Sequence, residues 1–184
     1  MTFRAGTRTA SVYGALLLMI GVMLPFMPVW LAARGFSIAD VAWALALQSV
    51  VRVVAMPVVT YWADRLAARR RFIIVLSCIA AVMMLMANLS DSVVAITAFV
   101  VLSAFAWSPV MPMLDAVAVE QSEAGHYDYG RVRIAGSVTF IAGSLGAGAM
   151  LTVLPATDLG WLLLATHVLL AVSAFALPRL GAAR

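Results

Sequence analysis

Six long apolar segments follow one another along the chain, with short polar stretches between them. They cover about residues 11–33, 38–62, 72–88, 92–114, 132–154 and 161–177. Each is close to the ~20 residues that a helix needs to cross the hydrocarbon core of a bilayer. None shows the alternation of apolar and polar positions that is typical of the strands of a membrane barrel. The pattern therefore predicts an all-α, polytopic membrane protein with six transmembrane helices.

Composition agrees with this prediction. Apolar residues make up 65% of the 184 residues and charged residues only 11%, whereas soluble domains average about half and about a quarter. The first segment is too long for the ~7–15 apolar residues of a signal peptide, and a second segment follows almost at once. We therefore interpret the first segment as a permanent helix.

The distribution of basic residues, all of them arginine, predicts the orientation of the chain. If the N-terminus is cytoplasmic, ten of the twelve also lie on that side, namely Arg4, Arg8, Arg65, Arg69, Arg70, Arg71, Arg131, Arg133, Arg179 and Arg184. Only Arg34 falls outside, and Arg52 lies within a segment. By the positive-inside rule, both termini are expected in the cytoplasm and the protein in the inner membrane. The basic charge thus indicates contact with anionic lipid and predicts no nucleic-acid partner.

The longest polar stretch divides the six segments into two sets of three. It runs from Glu120 to Arg131, and we expect a cytoplasmic loop at 115–131 within a single six-helix domain over residues 1–184. Because three is odd, the fourth segment crosses in the opposite sense to the first. The two triplets are then related as a 3+3 inverted repeat, an arrangement typical of transporters.

A repeated tetrapeptide interrupts the first segment of each triplet. Pro25 and Pro28 bracket Phe-Met, and Pro109 and Pro112 bracket Val-Met. Proline removes a backbone donor and clashes with the preceding turn, so both segments are predicted to be kinked or broken. Inverted topology would place one pair near each mouth of a cavity, as gating kinks. Bends that serve only helix packing are the alternative.

Arg52 is the most costly residue of the apolar segments. Facing lipid at a helix centre, an arginine would cost ~2.5–3.5 kcal/mol, so we expect it to face protein or water. Gln48 lies one turn before it, on the same helical face. This polar stripe predicts a cavity or an interhelical seam, with a snorkelling arginine as the alternative.

Asp115 is the expected partner of Arg52, and Arg131 and Arg133 are competing partners. A half-buried carboxylate beside arginines can change its charge when a neighbour moves, as a proton-coupled carrier requires. A static salt bridge that fixes the helix ends is the alternative.

Two motifs resemble those of a known superfamily. Asp64-Arg65, followed by a basic cluster that begins at Arg69, resembles the loop between helices two and three of the major facilitator superfamily. That resemblance implies that Asp64 helps to latch the two halves of a transporter in one state. A positive-inside anchor is the alternative for the arginines.

A second set of motifs resembles the phenylpropionate permease branch, near the nucleoside:proton symporters. It comprises the stretches at 24–31, 112–116 and 129–137, together with Arg52. The resemblance covers most of this chain but half of a twelve-span family member. It implies proton-coupled uptake of a small organic solute such as an aromatic acid. Arg52, Asp115 and Arg133 would be the charged residues of this half, and Trp30 a pathway residue.

The resemblance implies no enzymatic activity, cofactor or metal, and a second six-helix half as partner. That half would be a missing C-terminal part or a second copy of the chain. A half-sized protein that transports only as a dimer, or not at all, is the main alternative. An intramembrane protease using Ser144 and His167 is a remote one, since no oxyanion site accompanies them. His167 is otherwise expected to be a neutral, hydrogen-bonded group.

Overall fold

The computed structural model describes residues 2–177, with side chains from residue 6 onward. Within this range the chain forms seven α-helices and no strand: α1 (Thr2–Ala33), α2 (Ile38–Arg65), α3 (Arg69–Leu89), α4 (Val93–Trp107), α5 (Val110–Glu123), α6 (Tyr129–Met150) and α7 (Leu159–Ala174). A short 3₁₀ turn, Ala156–Asp158, precedes α7. The predicted cytoplasmic residues Arg179 and Arg184, and the side chain of Arg4, lie outside the described part.

Six stretches of these helices are long and apolar enough to cross a membrane, with α4 and α5 together forming the fourth. The prediction of an all-α protein with six transmembrane helices is therefore confirmed. Ser37 and Asp40 form a capping box at the start of α2, where the Ser37 side chain accepts a hydrogen bond from the Asp40 amide.

The polar connection between the triplets is shorter than predicted. The helix α5 continues to Glu123, so 115–123 is helical and only 124–128 separates α5 from α6. One face of α5 is buried along its length, and its members are Val110, Met113, Leu114, Val117 and Ala118. Polar residues end an apolar segment without ending a helix, because the buried face continues to stabilise it.

The helix ends gather on two sides of the bundle. We call the side that holds the start of α1, the α2–α3 turn and the α5–α6 loop the proximal side, where Arg69 bridges to Glu120. On the opposite, distal side, Arg34 at the end of α1 donates to the backbone oxygens of Asn88 and Ser90. The Asn88 amide donates in turn to the carbonyl of Gly160, 3.0 Å away, which joins α3 to α7.

The main helix contacts each have a counterpart when the helices of one triplet are replaced by the equivalent helices of the other. The helix α1 packs on α6, and the corresponding pair, α2 and α4, is also in contact. Likewise α1 packs on α7 as α4 packs on α3, while the pair α3 and α7 maps onto itself. This is the contact pattern of a 3+3 inverted repeat.

The backbones of α1 and α6 come into direct contact along one seam. A Cβ atom on Gly21 would clash with the carbonyl oxygen of Phe140, and one on Gly143 would lie 2.8 Å from the carbonyl oxygen of Leu18. Thr139 adds a hydrogen bond of 2.9 Å to the carbonyl of Gly14. Glycine at these positions lets two membrane helices approach to backbone contact.

The prolines of α1 do not break it, contrary to one of the predicted outcomes. Pro25 has no N–H for the carbonyl of Gly21, four residues earlier. The hydroxyl of Ser144 donates to that carbonyl at 2.7 Å instead. Because α6 supplies the missing donor, α1 continues through Pro25 and Pro28 to Ala33.

The second copy of the tetrapeptide does interrupt its span. The helix α4 ends at Trp107 and α5 begins at Val110. Pro109 is the N-cap residue of α5, and Pro112 lies in its first turn, where a backbone donor is not needed. The two copies therefore differ: one lies within a continuous helix and the other at a break.

Glycine at the seam can be tested with two positions on α6. Gly143→Ala is expected to lower the free energy of unfolding by about 1–3 kcal/mol, because the new methyl group meets the α1 backbone. Gly146→Ala is the control, since no atom lies within 4 Å of its Cβ position. Thermal unfolding of the detergent-solubilised protein measures both, and equal stabilities would contradict the seam.

The support of Pro25 by Ser144 can be tested with a double-mutant cycle. Ser144→Ala is expected to cost about 1 kcal/mol of stability in the native background. In a Pro25→Ala background the cost should largely disappear, because the amide of residue 25 can then bond to Gly21. The same loss in both backgrounds would show that Ser144 does not compensate for the proline.

Candidate functional site

Asp115 is the centre of a polar cluster inside the bundle. Its Oδ1 accepts hydrogen bonds from the hydroxyls of Tyr13, at 2.5 Å, and Tyr129, at 2.8 Å. The Nη1 atom of Arg133 lies 3.7 Å from the same oxygen. The Asp115 side chain is 31% exposed, so protein groups hold the carboxylate while it stays accessible.

Three helices place these groups. Tyr13 is fully buried on α1, and Asp115 lies on α5 beyond the break of the fourth span. Tyr129 is the first residue of α6, and Arg133 follows it by one turn and donates to its hydroxyl at 2.7 Å. The start of α6 is fixed because the Asp128 side chain accepts from the Gly130 amide at 2.7 Å. The cluster thus joins both triplets.

A cavity of about 320 Å³ adjoins this cluster. Its walls are Tyr13, Leu17, Met111, Arg133, Ser137, Phe140 and Ile141. Apolar and aromatic walls with a few polar groups are typical of sites for small organic molecules. The cavity shares Tyr13 and Arg133 with the Asp115 cluster, so a molecule bound there would lie next to the carboxylate.

Arg52 does not pair with Asp115, contrary to the expectation from the sequence. Its guanidinium stacks on the ring of Trp107 instead, at 5.6 Å from the ring centre. The helix α2 packs mainly on α4, whereas the Asp115 cluster faces α1 and α6. Arg133, predicted as a competing partner, forms the ion pair.

The other predicted residues are more scattered. Gln48 is buried on the same face of α2 as Arg52, and its amide donates to the carbonyl of Ala44 at 3.4 Å. Trp30 is fully buried on the distal side, against Gly160, and is not in contact with Asp115. Pro109 and Pro112 precede Asp115 on the broken fourth span.

Arg131, the remaining predicted partner of Asp115, contributes to a different cavity. That cavity measures about 330 Å³ and lies on the proximal side between α1 and the α5–α6 loop, where Tyr127 also lines it. Burial raises the pKa of the Tyr127 phenol, so it stays neutral.

A charged network crosses the proximal side. Arg69 Nε lies 2.5 Å from Asp64 Oδ1, and Arg69 Nη1 lies 3.2 Å from Glu120 Oε2. Arg65 is not part of it, since its guanidinium donates to the Tyr61 hydroxyl at 2.9 Å. The network connects the ends of α2, α3 and α5. Glu120 is a member that the sequence motif did not indicate.

The two candidate residues of the protease alternative are engaged on different helices. The Ser144 hydroxyl donates to Gly21 of α1. His167 is buried in α7, with its Nδ1 atom 2.7 Å from the carbonyl of Leu163. Neither contacts the other, so the described geometry does not favour an activated serine.

The two tyrosines were the functional residues that sequence reasoning missed. Tyr129 begins a stretch singled out for its resemblance, yet its hydroxyl received no role. Tyr13 is less conspicuous in the sequence, where it is a single phenol within an apolar segment. It is 102 residues from Asp115, so only the packing of α1 against α5 and α6 reveals the contact.

The sequence of this chain matches a known protein family and proteins named as transporters. Residues 9–182 match the model of the MFS_1 like family. The chain is 22% identical over 161 residues to the putative nucleoside transporter YegT of Escherichia coli (strain K12), a match that covers 83% of this chain and 38% of that protein. It is 29% identical over 144 residues to the probable 3-phenylpropionic acid transporter of the same organism, covering 72% and 35%.

The chain thus spans little more than a third of the length of these relatives. Both relatives are named as transporters, and the family model covers nearly the whole chain. Six membrane-spanning helices, the packing of an inverted repeat and these matches agree. The chain is a multi-pass membrane protein that belongs to the MFS_1 like family of major facilitator transporters.

Proposed function

We propose that this chain is the N-terminal half of a secondary transporter that couples proton movement to uptake of a small organic solute. The observation that carries the proposal is the Asp115 cluster. A carboxylate lies beyond the break of the fourth span and is held by groups from two other spans. Such intramembrane carboxylates are typical of proton pathways.

The cluster provides a mechanism for coupling. Ionised Asp115 attracts Arg133 and accepts from both tyrosines, which holds α5 against α1 and α6. Protonation removes the charge, weakens these contacts and frees α5 to move about the break at Pro109. The adjoining cavity then changes shape with the protonation state.

The cavity and the relatives support a solute class. Tyr13 and Phe140 supply aromatic walls, which suit the ring of an aromatic solute. The relative named as a 3-phenylpropionic acid transporter supports this class. A nucleoside, supported by the name of the other relative, is the second candidate.

The arginines support an orientation. Within the described residues, Arg69 bonds to α5 and Arg70 to the segment after α7 on the proximal side, while Arg34 is on the distal side. By the positive-inside rule, we place the proximal side and both termini in the cytoplasm and the protein in the inner membrane. The Asp64–Arg69–Glu120 network would then hold the cytoplasmic ends of three helices together in one state of the cycle.

A second six-helix half is the proposed partner. Of the six spans, α2 and α6 bury the smallest share of their residues within the bundle. Their exposed faces include Val53, at 73%, and Leu145, at 70%. These equivalent helices of the two triplets would pack against the C-terminal part of a longer polypeptide or against a second copy. A half-sized protein that does not transport is the alternative.

Asp115→Asn is expected to abolish solute accumulation driven by a pH gradient, because the amide cannot change its charge. Exchange of labelled for unlabelled solute, which needs no net proton movement, should persist. Uptake of labelled 3-phenylpropionate and of a labelled nucleoside into proteoliposomes measures both activities. The control is Asp158→Asn, an exposed carboxylate near the start of α7.

Unchanged gradient-driven uptake in Asp115→Asn would contradict the proton role. Loss of exchange as well as uptake, with a normal unfolding temperature, would indicate that Asp115 binds solute and is not a proton carrier.

The proposal also predicts the size of the active assembly. Transport should coincide with a membrane-protein mass of at least about twice the 19.5 kDa of this chain, because a substrate pathway needs two six-helix halves. Light scattering of the purified, transport-competent protein measures the mass after detergent is subtracted. A monomeric six-helix species with full uptake would contradict it.

A further inference from the structure

Arg52 is a cation whose donors have no acceptor within the described residues. Among those residues, the guanidinium makes a single cation–π contact, with the ring of Trp107. The four ion pairs found in the described part of the chain involve other arginines. Guanidinium carries five N–H donors in one plane. The contact with the Trp107 ring supplies no oxygen or nitrogen acceptor, so the donors stay available.

The position of Arg52 excludes lipid headgroups as acceptors. It lies 14 residues after Ile38 and 13 before Arg65, the two ends of α2. At 1.5 Å per residue, each end is about 20 Å away. A snorkelling side chain cannot cover that distance. Arg52 is also half-buried on the face of α2 that holds Gln48 and Ala55, turned towards α4.

The nearest carboxylate of the fourth span is already engaged. Asp115 accepts from two tyrosines and pairs with Arg133. Moving it to Arg52 would break that cluster. Arg52 is therefore available to an acceptor from outside the described residues.

We propose that Arg52, stacked on Trp107, binds the carboxylate of the transported solute. This inference rests on the proposed transport function and assigns solute recognition to a residue separate from the proton site. An arginine edge can hold a carboxylate through two parallel N–H···O bonds, and stacking fixes the orientation of that edge. An uncharged solute cannot form the same pair of charge-assisted hydrogen bonds.

The place of this site in the fold supports a solute more than a fixed partner. Trp107 is the last residue of α4, immediately before the break, and α5 begins three residues later with Asp115 on it. A carboxylate on Arg52 therefore lies beside the break that lets α5 move. A carboxylate fixed in the second half would neutralise Arg52 in every state and would serve acids and uncharged solutes equally.

The test compares an acid with its uncharged analogue. Binding of 3-phenylpropionate and of 3-phenylpropanamide to the purified transporter in nanodiscs is measured for the wild type, Arg52→Gln and Arg52→Lys. Arg52→Gln should weaken binding of the acid by about tenfold or more, because charge-assisted hydrogen bonds are lost. Binding of the amide should change less than about threefold. Arg52→Lys should be intermediate, since it keeps the charge but not the two-pronged geometry.

The exposed Arg71→Gln substitution at the start of α3 is the matched control and should bind both compounds as the wild type does. Equal weakening of acid and amide in Arg52→Gln would assign the residue to packing or to a carboxylate of the second half, and would overturn the inference. So would unchanged acid binding in that variant, or no saturable binding of the acid to the wild type. Normal acid binding without any uptake would instead overturn the proposed transport function and leave the anion site standing.

Discussion

The backbone contact between α1 and α6 is the constraint on which the site depends. Gly21 and Gly143 allow the two helices to touch without intervening side chains. Towards the proximal side the same seam continues to Gly136, where a Cβ would lie 2.7 Å from the ring of Tyr13. The approach of the helices thus brings the Tyr13 hydroxyl to the carboxylate of Asp115. A wider spacing would leave that carboxylate with Tyr129 and Arg133 alone.

The same tetrapeptide has opposite consequences in the two triplets because its surroundings differ. In α1 a neighbouring hydroxyl, that of Ser144, supplies the donor that proline lacks, and the helix remains continuous. In the fourth span the Ser108 hydroxyl is buried without a partner among the described residues, and the helix stops at Trp107. A continuous span faces an interrupted one across the Asp115 cluster. An inverted repeat can therefore supply both kinds of helix from similar sequences.

Sequence reasoning recovered what depends on local composition, including the six spans and the inverted triplets. It identified Asp115 and Arg133 because a charge in an apolar segment is conspicuous on its own. The sequence did not predict which side chains from distant helices interact. Arg52 was expected to pair with Asp115, but its guanidinium lies over the Trp107 ring. Sequence reasoning also missed Glu120, whose position in a polar stretch looked like a loop. Pairings of this kind depend on helix rotation and depth, which apolar periodicity does not encode.

In the proposed transporter Arg52 and Arg133 are separate cations. Their separation provides a physical basis for coupling the proton to the solute. From Trp107, which holds Arg52, to Asp115 is eight residues, or roughly 12 Å of helix at 1.5 Å per residue. Two like charges at that separation repel by about 1.4 kcal/mol at an effective dielectric constant of ~20, a tenfold change in an equilibrium constant. A solute anion on Arg52 would therefore favour a protonated Asp115, and protonation would favour the anion by the same factor, as linkage requires. If Arg52 and Asp115 were instead an ion pair, the solute would have to displace the carboxylate, and proton and anion would be linked through competition at one site. The observed pairing gives the proton and the anion separate sites, Asp115 and Arg52, whose charges interact through space.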